Sequence, residues 1–163
     1  MTYYDDISEG YEELHGEEQL KKIKLIKQHF HPNKTEKLLD VGCGTGLTTE
    51  PWDCKRHGID PAKKLIARAR QQDKIEYQIA PAEDIPYPVN YFDHVISITA
   101  IQNFNDIKLG LNEIMRVGKE SFVLSALKKS RKMDKIKKLI YEIFKVNKEI
   151  EEDKDLIFFC SSK

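Results

Sequence analysis

A chain of 163 residues is long enough to bury one sizeable core. Its 27 basic and 27 acidic side chains cancel, so net charge argues neither for nucleic acid nor for an acidic partner. No apolar stretch has the length of a signal peptide or a bilayer span, so no membrane role is expected. Three cysteines without framework spacing, Cys43, Cys54 and Cys160, fit a reducing, cytoplasmic setting and not a disulfide scaffold.

Residues 1–20 hold Tyr3, Tyr4, Tyr11 and seven acids, with no Lys or Arg, which reads as an acidic helix start with tyrosines on the core. Leu20, Ile23, Ile26 and Phe30 recur at helical spacing, predicting a helix from Glu17 to Phe30 with Lys21, Lys22, Lys24 and Lys27 facing out. Pro32-Asn33-Lys34 ends it. His29 and His31 abut that proline without third and fourth ligands, so they read as surface loop and no metal site is expected.

Leu38 to Val41 is an apolar run that predicts a short buried strand, and it leads straight into Gly42, Cys43, Gly44, Thr45 and Gly46. Glycine at alternate positions permits positive φ and lets a ligand approach without a Cβ in the way. A strand feeding such a turn is how open α/β sheets bind nucleotides beyond the carboxyl ends of their strands. Leu47 stands where the dinucleotide fingerprint has its third glycine, so the spacing is G-x-G-x-G. Cys43 sits where a small side chain is wanted. Pro51 limits the following helix to about one turn, with Trp52 at the core or its rim. His57-Gly58-Ile59-Asp60-Pro61 reads as the end of a second strand. Asp60 lies near the offset at which an acid receives ribose hydroxyls, and Asp60-Pro61 is equally a good helix start.

The remaining elements alternate. A basic helix is expected over Ala62–Gln72, a strand over Ile75–Ile79, and a loop over Ala80–Tyr87. Strand four spans Tyr91–Ile98, a helix Asp106–Arg116, and strand five Ser121–Leu127. Residues 128–138 carry seven basic side chains and one acid, and their apolar stripe continues as a helix to about Phe144. A solvated helix face is the plain reading of that segment, with an RNA or phosphate-bearing partner as the sharper one. Residues 145–160 read as a closing hairpin, and no internal repeat or linker-like composition interrupts the chain.

The pieces LLDVGCGTG, GIDPAKKLIARAR, APAEDIPYPVNYFDHVISITAIQNF and NEIMRVGKESFVLSAL stand in an order that resembles the class I S-adenosylmethionine-dependent methyltransferases, over Leu38 to Leu127. The nearest likeness is to the branch that methylates quinone precursors and other small molecules. The resemblance implies a doubly wound, Rossmann-like α/β fold with strand order 3-2-1-4-5-7-6 and one antiparallel strand. It implies a lid and helix over residues 1–36, a cofactor-binding core over 37–127 and a helix with hairpin over 128–163. It also implies that S-adenosyl-L-methionine meets Gly42, Cys43, Gly44 and Gly46, with Asp40 near its amino-acid end and Asp60, followed by Pro61, on the ribose.

By the same resemblance Ala82 and Glu83 border adenine, Thr99 lies beside the methionine portion, and Tyr11, with Tyr4, belongs to the lid. Pro81 occupies the usual adenine acid's place, so Glu83 or Asp84 is expected to supply the acceptor. Gln102 and Asn103 stand where the branch often has histidines, and neither can act as a general base. His15 is a remote candidate base. Methyl transfer from a sulfonium rests on alignment, so the lack of a catalytic constellation is consistent with it. A nicotinamide oxidoreductase shares the strand–glycine–acid geometry but not the glycine spacing. A cofactor-binding subunit that works with a protein partner is the rival from another class. Small metabolite, protein and RNA acceptors all fit.

Overall fold

A computed structural model of the chain describes residues 9–69 and 74–163, with side chains in the first helix from residue 14 onward. Seven strands form one sheet in the order β3-β2-β1-β4-β5-β7-β6. They are β1 (Lys37–Val41), β2 (Lys55–Asp60), β3 (Ile75–Ile79), β4 (Phe92–Ser97), β5 (Gly118–Leu127), β6 (Lys145–Glu151) and β7 (Asp155–Ser161). β7 runs antiparallel to both β5 and β6, and the pairs β1–β2, β1–β4, β2–β3 and β4–β5 are parallel. The expected doubly wound order therefore holds.

β1 lies inside the sheet, between β2 and β4, because it can be buried on both faces. Leu38 and Leu39 are fully buried on opposite sides, as expected of a parallel strand covered twice. One face carries Leu39, Val95, Phe122 and Leu124 against α3 (Ile107–Val117) and α4 (Met133–Ile143). The other carries Leu38, Ile96, Val123 and Ile157 against Ile23 and Ile26 of α1 (Glu9–Ile26), with Phe30 and Trp52 closing the layer. Asp106 caps α3 by accepting from the Leu109 N–H at 3.0 Å.

α1 corrects two expectations. It spans Glu9–Ile26 and ends four residues before Phe30, in turns closed from Lys27, Gln28 and His29. Ile23 and Ile26 are buried as spacing indicated, but Leu20 is 53% exposed while Gln19 and Lys22 are buried. Acceptors supplied by distant strands, described below, outweigh the local apolar stripe. α2 (Lys63–Arg68) is shorter than Ala62–Gln72, because Ala69 turns extended and its N–H closes on Ile66, three residues back. The expected extension over residues 70–72 lies outside the described residues.

Phe122 is 1% exposed and meets Phe144 edge-on with centroids 4.9 Å apart. Phe122→Ala is expected to cost about 3–5 kcal/mol, read as a lowered urea midpoint with an unchanged slope.

Candidate functional site

The carboxyl ends of β1 and β4 diverge at the point where the strand order reverses, and the glycine loop lies there. Gly42, Gly44 and Gly46 take φ of 78°, 56° and 92°. Two of them are required by the protein itself. A Cβ on Gly42 would lie 2.5 Å from the Ala100 Cβ, and one on Gly46 would strike the Tyr77 hydroxyl. Gly44 is the open one, for the nearest atom to its missing Cβ is Leu65 Cδ1 at 3.9 Å. Tyr77 on β3 also fills the space over Gly58, where a Cβ would come within 2.8 Å of Cys43 Sγ. Cys43 is buried, and burial followed by the charges of Asp40 and Asp60 pushes its thiol well up, so it stays protonated. It packs the loop from beneath.

Two carboxylates serve the loop in opposite electrostatic settings. Asp60 closes β2, accepting from the Gly44 N–H at 2.9 Å with Oδ2 and from the Ala62 N–H at 2.8 Å with Oδ1. It thus bridges the glycine loop to the start of α2, while Pro61 beside it is exposed. Asp40 is fully buried on β1. Its Oδ2 accepts from the Thr48 and Thr49 hydroxyls at 2.6 and 2.8 Å, and its Oδ1, equally buried, meets no hydrogen-bond donor. Burial, reinforced by Asp60, raises the Asp40 carboxyl to about 6 against the pull of the two threonines.

The loop after β3 is braced from α3. Arg116 donates to the Tyr87 and Ile85 carbonyls at 2.8 and 2.9 Å and to Glu113, which itself accepts from the Ile85 N–H at 3.0 Å. Ala82 is buried beside Gly110, whose missing Cβ would lie 3.4 Å from it. Glu83 Oε2 accepts from the Asp106 N–H at 2.8 Å, so one of its oxygens is spent on the start of α3.

Thr99 follows β4 in a left-handed conformation, φ 56°, and its hydroxyl is bonded inward to Lys22 and Asp155. His15 lies on α1 four residues before Gln19, and burial followed by the Lys22 charge lowers its pKa. It is therefore neutral near pH 7. Tyr11 falls within α1 with its side chain outside the described residues, and Tyr4 lies outside them altogether. The glycines, Cys43, Asp40 and Asp60 are gathered at one place. Tyr77, Thr48 and Thr49 belong to the same region, and no motif in the sequence marks them. A chain motif marks the glycine loop but carries no trace of what supports it from β3.

A family model described as "Methyltransferase domain" matches residues 39–124, more than half of the chain. The chain is 31% identical over 133 residues to a demethylmenaquinone methyltransferase of Symbiobacterium thermophilum, covering 70% of this chain and 52% of that protein. It is 32% identical over 108 residues to a ubiquinone biosynthesis O-methyltransferase of Pelagibacter ubique, covering 61% and 44%. The chain thus spans about half the length, or less, of the curated relatives it matches. Its fold is similar, with a TM-score of 0.79 and 14% identity over 94% of both chains, to one from the complex between the Haloferax volcanii Trm112 methyltransferase activator and a methyltransferase.

Replacing the guanidinium fork by a single ammonium should release the loop after β3. Arg116→Lys is expected to speed amide exchange at Ile85 by roughly tenfold while Leu39 in β1 is unaffected, measured by hydrogen-exchange NMR.

Proposed function

The chain belongs to the methyltransferase-domain family, and from that premise we propose an S-adenosylmethionine-dependent methyltransferase. The observation that carries the reading is the buried Oδ1 of Asp40, without a donor, behind a loop of three left-handed glycines. Burying an acceptor unmet is costly, and the cofactor's α-ammonium is a donor of the complementary charge. Asp60, at the end of β2 and bonded to the Gly44 N–H of the loop, receives the ribose hydroxyls. Gly44 admits the cofactor backbone-close, Ala82 and Glu83 border the base, and Thr99 lies at the methionine end. Tyr11 belongs to the covering segment, and Pro61 and Cys43 shape the loop.

Bound there, S-adenosylmethionine supplies a methyl group on a sulfonium, so in-line transfer needs alignment above all. The chain's residues hold that alignment and exclude water. His15, kept neutral, is the imidazole suited to take a proton from an acceptor that must lose one. The relatives that act in quinone pathways support a small-molecule acceptor. An RNA acceptor has less support, since Lys128 pairs with Glu151, Lys137 with Glu149, and Lys132 donates to the Gln102 carbonyl. A cytoplasmic setting suits the buried free thiols of Cys43, Cys54 and Cys160. Among the described residues, no helix is long and apolar enough to cross a membrane. A second reading, in which a protein partner completes the enzyme, is favoured by the fold's likeness to a chain solved with a methyltransferase activator.

Calorimetric titration with S-adenosylmethionine, S-adenosylhomocysteine and NAD tests the reading. Micromolar binding of the first two is expected, weakened about tenfold or more in Asp60→Ala, with none for NAD. No binding by the chain alone would refute the stand-alone enzyme and direct the search to a partner.

Asp40 adds a pH signature. Its folded pKa, about 6, lies above the unfolded value, so the protonated form favours folding. That stabilisation is full below about pH 4 and lost as pH rises through 6, on the order of 3 kcal/mol in the unliganded protein. Cofactor affinity should move the other way, rising through pH 6 as the carboxylate forms. Asp40→Asn is expected to flatten both profiles, read by urea unfolding and by titration between pH 4.5 and 7.5.

A further inference from the structure

Between α1 and the carboxyl ends of β4 and β5 lies a charged cluster that sheet packing does not require. Lys22 and Asp155, 1% and 0% exposed, pair at 3.2 Å. Lys22 Nζ also donates to Gln19 Oε1 at 2.8 Å and to Thr99 Oγ1 at 2.9 Å, two hydrogen bonds beside the ion pair. The Asp155 Oδ1 contact is an ion pair lying off the line of a hydrogen bond. Asp155 Oδ2 accepts from the Thr99 and Ser125 hydroxyls at 2.7 and 2.8 Å. Ser125 Oγ in turn accepts from the Thr99 N–H at 3.0 Å, and the Thr99 carbonyl accepts from Gln102 Nε2 at 2.9 Å. Every polar group of Thr99 is tied.

The ties hold a conformation that Thr99 would otherwise avoid. A φ of 56° is left-handed, a genuine outlier for a β-branched residue. The turn it makes brings Ala100 against Gly42, close enough that no Cβ could stand on the glycine. This contact lies where β1 and β4 part.

We propose that Lys22 is a positioning residue for the cofactor crevice. Its ammonium, with Asp155, holds Thr99 left-handed and so sets the spacing of Ala100 from the glycine loop. The inference rests on reading that crevice as the S-adenosylmethionine site. A buried ion pair is a poor source of stability, and apolar side chains of similar volume would serve the core as well. What this one supplies is a single backbone geometry, imposed on the site from α1.

The test is calorimetry with S-adenosylhomocysteine on the full chain, at a temperature where circular dichroism shows each variant folded. Thr99→Val keeps the β-branch but removes the hydroxyl from between Lys22 and Asp155, and Kd is expected to rise about tenfold. Thr99→Gly removes the same hydroxyl yet takes a positive φ without strain, so it should recover most of the affinity that Thr99→Val loses. A direct contact between the Thr99 side chain and the cofactor would weaken both variants alike and overturn the proposal.

Lys22→Met with Asp155→Asn removes both charges together and is expected to weaken binding about tenfold, with Thr99→Gly added to it restoring most of the loss. Undiminished affinity in the paired variant, or no restoration in the triple, would overturn it too. Absence of binding by the unaltered chain would instead overturn the cofactor reading, and this one with it.

Discussion

An ammonium can be buried only where acceptors surround it, and those grouped around Lys22 come from α1, the end of β4 and the start of β7. Moving the helix by one turn would leave both Lys22 and Asp155 unpaired in the interior. α1 is therefore pinned, and Gly16, nearly two turns earlier, is set against Leu47 at the end of the glycine loop. The reversal of β7 has a purpose in this arrangement. A parallel strand would bring its last residue to the carboxyl edge of the sheet. The antiparallel one brings its first, Asp155, opposite Leu127. The strand that breaks the parallel pattern delivers a carboxylate to the edge where the site lies.

The two carboxylates of the loop are separated by what they are bonded to. Asp60 is met by the backbone N–H groups of Gly44 and Ala62, one on each oxygen. Asp40 is met only by hydroxyls on one oxygen and lies under the loop, where burial favours the proton. The pair therefore sets beside the loop one carboxylate bonded to backbone N–H groups and one whose second oxygen meets no donor. A ligand carrying both hydroxyls and a cation would use both, and a neutral nucleoside would use one.

Much of this was legible in the chain. β3 is found over Ile75–Ile79 as its alternation predicts, and the order of seven strands is the one implied by the family resemblance that four motif pieces carry. Local pattern decides where long apolar runs dominate. It fails for α1, where spacing put Lys22 outside and Leu20 inside and the fold does the reverse. The acceptors that draw Lys22 inward lie 77 residues away at Thr99 and farther still at Asp155, so no window of sequence contains the cause. Arg116 and Tyr77 were passed over for the same reason. One looks like an ordinary helix-end cation, the other like an ordinary strand aromatic. Their roles come from the carbonyls and glycines that the fold brings against them.

The glycines illustrate a finer limit. All three suggest a ligand from the sequence, because any glycine-rich turn does. In the fold, Gly42 and Gly46 are small because Ala100 and Tyr77 occupy the space, and Gly44 alone faces open room. A side chain at either of the first two would displace β4 or β3 before it touched any cofactor. The loop's shape is thus set by neighbours on both sides of β1, and only its middle is left for a ligand. Alignment in such a crevice depends on how firmly those neighbours are held. The neighbours are met by a buried ion pair on one side and by a tyrosine against glycine on the other, contacts with one geometry each.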